Sequence, residues 1–246
     1  MAQSGEGRIR LFEDFFAEDP VSNTATDRAL GNFTVAGQGS EDTDSGIPLL
    51  HADAISGVGV MTTTNEVNHT ILIGTPIAFD VALMGTIVAE TRVRFVDLDT
   101  KEVFFGFSDI DPSTLSIETN VMTGATTTLT LTASDICGFF LSAELTDDED
   151  WHTVYNGGTT TGETDSTAID CDDDAVIEKW QVLRLELAPN GTVRWFIDGV
   201  LVRTVTGAVS TSVDLSLILA LDAKTNAIEI MHVDYLSVEA NRDWTV

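Results

Sequence analysis

A stretch of strict alternation over Trp180–Val205 constrains the fold more than any other part of the sequence. Leucines alternate with polar residues from Leu183 to Leu187, which is the period-2 pattern of a strand with one buried face. A second alternating run covers Val193–Ile197, and a third run begins at Val200. The stretch therefore predicts three consecutive β-strands.

The residues between these runs favour tight turns. Pro189-Asn190-Gly191 ends the first run, and Asp198-Gly199 separates the second run from the third. Asn, Asp and Gly tolerate positive φ, as two-residue hairpin turns require. Tight turns between consecutive strands make the strands antiparallel neighbours, so the sequence predicts an all-β protein.

Similar short strand-like runs with turn residues between them cover the rest of the 246 residues. A chain of this length can form one large β domain. We predict a two-sheet antiparallel sandwich that spans residues 11–246 as one domain, preceded by an N-terminal arm of residues 1–10. Two segments rich in small and acidic residues, Gly37–Ile47 and Gly157–Asp174, are predicted to be loops.

The charge balance is strongly acidic. Forty Asp and Glu residues face twelve Lys and Arg residues, which gives a formal net charge of −28. Such a surface repels phosphate backbones and anionic lipid headgroups, so we expect neither a nucleic acid nor a membrane as partner. The acidity fits two interpretations, solubility alone or a salty environment in which self-repulsion is screened.

The chain contains two cysteines, Cys137 and Cys171. They are compatible with a disulfide or with two free thiols, and the sequence leaves both states open. The segment Met1–Arg10 lacks the apolar core of a secretory signal peptide. We therefore expect synthesis in a cytoplasm without a secretion route of its own.

Two acidic runs are candidates for a Ca²⁺ site, because Ca²⁺ takes about six to eight oxygen ligands. Solvated surface is the simpler interpretation, since the sequence lacks EF-hand spacing and is rich in acidic residues throughout. No cofactor is required otherwise. The candidate ligands are Asp147, Asp148 and Asp150 in the first run and Asp172, Asp173 and Asp174 in the second.

Two aromatic residues near these runs are candidates for stacking on sugar rings. Trp151 follows the first acidic run, and Tyr155 precedes Gly157-Gly158. A carbohydrate contact requires that these rings be exposed. Trp195, in contrast, is in phase with Val193 and Ile197, which predicts a core position.

Catalytic motifs are weak. Glycoside hydrolysis needs two carboxyl groups at a defined separation, and sandwich-fold glucanases carry them as Glu-x-Asp-x-x-Glu on one strand. Here the nearest pattern is Asp97-Leu98-Asp99 followed by Glu102. His232 lies in an alternating run and is interpreted as a sheet histidine. We expect a protein that is not an enzyme.

The chain resembles the concanavalin A-like lectin/glucanase (laminin-G-like) jelly rolls. The matching segments are Phe12–Phe16, Lys179–Leu185, Gly191–Gly199 and the closing run Val233–Val238. The resemblance implies a jelly-roll sandwich and carries fold rather than activity.

More narrowly, the chain resembles laminin-G-like structural proteins of tailed bacteriophages, through Val103–Asp109 and Gly138–Phe140. This resemblance implies a capsid decoration or cement protein on the outer surface of the virion, bound to the major capsid protein as a homo-oligomer, with a trimer favoured. Arg8 and Arg10 of the N-terminal arm are the candidate assembly contacts. The alternatives are a lectin-like module for host adsorption and a polysaccharide hydrolase or lyase.

Overall fold

The computed structural model describes residues 7–16, 21–22, 28–40, 44–47 and 57–243. Extended structure dominates these residues, with two short 3-10 turns and one π-helical turn, Ile117–Val121. The strands are β1 (Arg8–Glu13), β2 (Val21–Ser22), β3 (Arg28–Leu30), β4 (Phe33–Ala36), β5 (Gly46–Ile47), β6 (Gly59–Thr62), β7 (Ile71–Gly74), β8 (Phe79–Asp80), β9 (Ile87–Phe95), β10 (Lys101–Ser108), β11 (Met122–Ala125), β12 (Thr128–Leu131), β13 (Ile136–Ser142), β14 (Asp150–Asn156), β15 (Asp170–Asp174), β16 (Gln181–Leu187), β17 (Val193–Ile197), β18 (Val200–Val205), β19 (Asp214–Ala223) and β20 (Ile230–Asn241).

The strands form two large antiparallel sheets and one small hairpin. Sheet A has the order β18-β17-β16-β9-β20-β6-β5-β2, and β1 pairs with β20 beside β6. Sheet B has the order β15-β14-β13-β10-β19-β7-β4-β3, with β8 also paired to β19. The hairpin consists of β11 and β12. This architecture confirms the predicted all-β sandwich.

The three strands predicted over Trp180–Val205 are present as β16, β17 and β18. Leu185 pairs with Trp195 across β16 and β17, and β17 pairs with β18. Asp198 and Gly199 have φ values of 48° and 81° between β17 and β18, as a tight hairpin turn requires. The turn chemistry of the sequence therefore placed these strands correctly.

The main core lies between the two sheets. Leu183, Leu185 and Trp195 of sheet A are fully buried, and so is Trp151 of sheet B. The indole of Trp151 packs on Phe139 of its own sheet, with ring centroids 6.1 Å apart, and donates a hydrogen bond to Gln181 of sheet A at 3.2 Å. Burial of these large side chains is the main stabilising contribution to the sandwich.

The outer face of sheet B is also buried, because the connection between β10 and β13 folds over it. Every residue of β10 and β13 is buried, so neither face of these strands is open. At Gly124 of β11, a Cβ atom would lie 3.5 Å from the ring of Phe140, and Leu115 accepts a hydrogen bond from the backbone of Gln38. We call residues 109–133 the cover segment.

Two predicted boundaries need correction. β1 begins at Arg8 and pairs with β20, so residues 8–10 belong to the sandwich rather than to an arm; residues 1–6 lie outside the described residues. The predicted loop Gly157–Asp174 contains β15, which pairs with β14. Aspartates disfavour strands, and this pairing became visible only in the tertiary structure.

Cys137 and Cys171 are both free thiols. Cys137 is fully buried on β13, and this burial raises the pKa of its thiol to about 12. Of the two states left open by the sequence, the structure shows the reduced one. In the described part of the chain, no helix has both the length and the apolar character needed to cross a membrane.

Candidate functional site

The two aromatic residues proposed for sugar stacking are not exposed. Trp151 has no exposed surface and Tyr155 is 6% exposed, because both side chains point from β14 into the core between the sheets. The ring of Tyr155 lies 6.3 Å from that of Trp195. The prediction that these rings contact a carbohydrate is therefore wrong. The acidic neighbours in the sequence suggested exposure, but the strand alternation turned both rings inward.

The two acidic runs are brought together by the pairing of β14 with β15. Asp150 lies opposite Asp174 in this ladder. Burial and the hydrogen bond shared with Asp174 raise the pKa of Asp150 to about 7. Burial and nearby carboxyl groups disfavour the charged form of an acid, so Asp150 is easier to protonate than an exposed aspartate.

These aspartates do not converge as a Ca²⁺ site. Asp173 accepts a hydrogen bond from the Gln181 amide at 3.2 Å, and Asp172 is exposed on the edge strand β15. Among the residues that the structure describes, none of the six candidate aspartates belongs to a group of three carboxylates that could hold one ion. The six candidates are Asp147, Asp148, Asp150, Asp172, Asp173 and Asp174.

Arg8 and Arg10 lie on β1 with their side chains exposed. Arg10 forms an ion pair of 3.0 Å with Glu239 of the neighbouring strand β20. Such an exposed pair contributes little to stability. Their role as assembly contacts stays a prediction, now for a surface of sheet A rather than for a separate arm.

The open outer face of sheet A carries a cluster that the sequence reasoning did not single out. Half-buried side chains on β9, β16, β17 and β20 alternate there with fully buried core residues. Arginines and aromatic rings dominate the cluster, although the chain as a whole is strongly acidic. We call it the arginine–aromatic face; its members are Arg92, Arg94, Trp180, Arg184, Phe196 and Tyr235, together with the carboxylates Glu90, Glu186 and Asp234.

One end of this face is built around Trp180. The guanidinium carbons of Arg92 and Arg94 lie 4.9 Å and 5.1 Å from the centroid of its ring. Arg92 is also paired with Asp234 at 2.6 Å, and Arg94 is paired with Glu178 at 3.3 Å. Cation–π contacts and ion pairs together hold the two guanidinium groups in fixed orientations.

The middle of the face contains a shallow pocket of ≈ 390 Å³. Arg184 lies over the ring of Phe196 at 5.8 Å and pairs with Glu186 at 2.6 Å. The lining of the pocket is completed by Glu90, Val182, Asp198 and Gly199. One aromatic wall and several polar groups therefore converge on one cavity, the usual composition of a small-ligand site.

Tyr235 joins the pocket to the β1 edge of the sheet. Its hydroxyl donates to Glu90 at 2.8 Å, and its ring stacks on Phe12, which is 43% exposed. Burial and the bond to Glu90 raise the pKa of Tyr235 above its usual value. The phenol therefore stays protonated and keeps Glu90 oriented.

His232 is a satisfied sheet histidine, as predicted. Its Nδ1 accepts a hydrogen bond from Nε of Arg94 at 3.2 Å. Burial and then the charge of Arg94 lower the pKa of His232. A neutral imidazole that accepts from an arginine serves to position that arginine at neutral pH.

A sequence signal for this face does exist. Arg92 and Arg94 occupy alternate positions of β9, and Arg184 occupies the corresponding phase of β16. Outward positions of an antiparallel sheet that face solvent are polar by default. Which outward positions are neighbours depends on strand order and register, and both are set by tertiary structure.

Sequence comparison finds no relative: no protein-family model and no curated protein matches the chain. Structural comparison does find similar folds. The carbohydrate recognition domain of Emp47p is 13% identical, with a TM-score of 0.55 over 89% of this chain and 92% of that one. A β-glucanase of Bacillus licheniformis is 13% identical, with a TM-score of 0.51 over 95% of this chain and 98% of that one.

The fold is a concanavalin A-like jelly roll. A protein of unknown function from Shewanella oneidensis MR-1 has the same fold, at 12% identity and a TM-score of 0.54 over 98% of this chain and 89% of that one. Identities this low establish the concanavalin A-like sandwich and leave the activity open.

Proposed function

We propose that this concanavalin A-like sandwich is a non-catalytic carbohydrate-binding protein that holds its ligand on the arginine–aromatic face. The observation that carries this proposal is the pocket in which Arg184, Phe196 and Glu90 converge. A sugar ring presents an apolar C–H face and a rim of hydroxyls. The Phe196 ring can pack on the C–H face, and the paired guanidinium and carboxylate groups can form hydrogen bonds with the hydroxyls.

The structural neighbours support a role with carbohydrates. Emp47p is represented by its carbohydrate recognition domain, and the bacterial neighbour is a β-glucanase. Both carry the fold found here. At their low identity this support is an analogy of fold, so the proposal depends on the arginine–aromatic face.

We prefer binding to hydrolysis because of the environment of Glu102. Glu102 has no exposed surface, and it lies on the outer face of sheet B beneath the cover segment. A general acid must reach the glycosidic oxygen of its substrate, and this carboxyl group is closed off from one. Asp97, the first residue of the glucanase-like pattern, is paired with Lys101.

The virion role is the second candidate, and the same face supports it. Tyr, Trp and Arg are the residues that contribute most to protein–protein interfaces, and this face concentrates all three on an acidic molecule. As a capsid decoration protein on the outer virion surface, the chain would place the arginine–aromatic face against the major capsid protein. In this role the protein would act as a homo-oligomer, with a trimer favoured.

A glycan array probed with the wild-type protein tests the first proposal. We expect binding to a restricted set of glycans, with Phe196→Ala and Arg184→Ala each weakening the affinity by about tenfold, the equivalent of about 1.4 kcal/mol. The affinity is then measured by calorimetry with the best glycan.

Arg242→Ala is the matched control, because it removes one exposed arginine that does not line this pocket. Its affinity should equal that of the wild type. Silence across the array would reject the carbohydrate proposal, and co-sedimentation with phage capsids would then test the virion candidate. Equal binding by the wild type, F196A and R184A would place the glycan elsewhere on the molecule.

A further inference from the structure

A row of buried polar side chains crosses the outer face of sheet B. Ser142 of β13 pairs with Glu102 of β10, and Glu102 pairs with Asp222 of β19. Asp222 accepts a hydrogen bond from Thr70, beside β7, at 3.0 Å. All four side chains have no exposed surface. Buried polar groups are costly unless they are paired, so this row requires an explanation.

Glu102 of this row lies close to two further glutamates. Glu102 belongs to the sheet, Glu118 to the π-helical turn of the cover segment, and Glu144 to the turn after β13. One ligand atom from each lies within 4.8 Å of the other two. Among the described residues, these three glutamates form the one group of three carboxylate or other ligand side chains close enough to hold a single metal ion.

The ammonium of Lys224 lies among these carboxylates. Its Nζ is 2.6 Å from Glu118, 3.0 Å from Glu144 and 3.6 Å from the Oε2 atom of Glu102. It also donates to Oδ1 of Asn68 at 3.2 Å. Nζ therefore lies within 3.6 Å of four oxygen atoms from four separate segments of the chain. We call these four oxygen atoms the cage.

Glu102 has one carboxylate oxygen that lacks a hydrogen bond in this cage. Its Oε1 accepts from Ser142 at 2.8 Å, whereas its buried Oε2 accepts no hydrogen bond from the residues that the structure describes. Three carboxyl groups face one ammonium group, so the carboxyl groups outnumber the positive charges in the cage.

The ligands are also fixed in place by the backbone around them. Asn68 adopts a φ of 63°, and its backbone N–H donates to Ala223 at 2.8 Å. Asn tolerates this left-handed conformation better than most residues. The backbone N–H of Lys224 donates to Thr100 at 2.7 Å, whereas its four-carbon side chain can rotate about its own bonds.

We propose that Glu102, Glu118 and Glu144, with the amide oxygen of Asn68, form a Ca²⁺ site for which the Lys224 ammonium is the built-in competitor. Binding of Ca²⁺ displaces the ammonium of Lys224 towards solvent. The site lies on sheet B and does not depend on the proposed function of sheet A.

The ligand set selects Ca²⁺ among the common divalent ions. All four ligands are oxygens, whereas zinc and copper prefer softer nitrogen and sulfur ligands. Ca²⁺ accepts ligands at about 2.3–2.6 Å in flexible geometry, and water can complete its shell. Mg²⁺ demands a near-ideal octahedron and gives up water reluctantly. Ligands from four separate segments suit the more permissive ion.

Calorimetric titration with Ca²⁺ tests this proposal on the wild type, Lys224→Met and Glu144→Gln. Removal of the competing ammonium should tighten Ca²⁺ binding by at least about tenfold in K224M. Glu144 has a side chain that is 43% exposed, so E144Q should fold normally. It should weaken Ca²⁺ binding by about tenfold, both alone and in combination with K224M.

Asp172→Asn is the matched control, since it removes one carboxylate from an exposed site outside the cage. Its Ca²⁺ affinity should equal that of the wild type. If K224M does not fold, the shift in melting temperature with Ca²⁺ decides: it should be positive in the wild type and reduced in E144Q. The proposal is overturned if K224M binds Ca²⁺ no more tightly than the wild type, or if E144Q and D172N behave alike.

Discussion

At the scale of single residues, the raised pKa of Asp150 is the clearest consequence of the acidic composition. The pairing of β14 with β15 forces the two carboxyl groups together. Burial, and then the hydrogen bond with Asp174, raise the pKa of Asp150 to about 7. A carboxyl group with a raised pKa in the folded state stabilises the protein below its unfolded pKa, and this contribution is lost as the pH rises through the folded pKa.

The first prediction concerns Asp150→Asn, which imitates the protonated carboxyl group. The wild type should lose stability between about pH 4 and pH 7, and D150N should lose less over the same range. Melting temperatures measured across this pH range give the comparison. Asp172→Asn removes an exposed charge from the same pair of strands and should keep the wild-type slope. Parallel curves for the wild type and D150N would rule out a raised pKa at Asp150.

At the scale of elements, the contact between β10 and β13 depends on two glycines that lie opposite each other, Gly106 and Gly138. A Cβ atom at Gly138 would lie 2.6 Å from the ring of Phe104 and 2.6 Å from the carbonyl oxygen of Phe105. The carbonyl of Gly138 also accepts a hydrogen bond from the Trp195 indole at 2.8 Å. This point therefore joins the two sheets.

The second prediction is that Gly138→Ala destabilises the protein by about 1–3 kcal/mol, because the added methyl group overpacks a filled core. Equilibrium unfolding in urea measures the free energy. Gly7→Ala serves as the control, since a Cβ atom there meets nothing within 4 Å, and it should change stability by less than about 0.5 kcal/mol. A G138A variant as stable as G7A would contradict the close packing of these strands.

At the scale of the whole molecule, the net charge of −28 is distributed unevenly. Seven of the twelve basic residues lie on strands of sheet A: Arg8, Arg10, Arg92, Arg94, Arg184, Arg194 and Arg203. Self-repulsion of the acidic surface opposes folding. The ion pairs on sheet A offset only part of it, since each exposed pair contributes little.

The third prediction is that the melting temperature at pH 7 rises with NaCl, because the screening length falls from about 10 Å at 0.1 M to about 3 Å at 1 M. Scanning calorimetry over this range measures the effect. The same series at about pH 4, where the carboxylates are partly protonated, should show a smaller rise. A melting temperature that falls with salt at pH 7 would mean that the ion pairs outweigh the repulsion.

The sequence predicted the fold better than it predicted the candidate site. The strands over Trp180–Val205 were predictable because hydrophobic alternation and turn residues are local properties. The burial of Trp151 was not, because a tryptophan beside an acidic run has the same sequence context whether it points inward or outward. β15 was missed because its five residues, Asp170–Asp174, are held in a strand by their neighbour β14.

The sequence by itself determined the all-β class, the antiparallel pairing of the last strands and the acidic surface, since each follows from residues adjacent along the chain. Tertiary structure alone decided which outward side chains are neighbours. Arg184 and Phe196 meet through the register of β16 and β17, and Lys224 reaches Glu102, Glu118 and Glu144 across four segments. Such contacts depend on strand order and on the path of the cover segment, and long-range packing sets both.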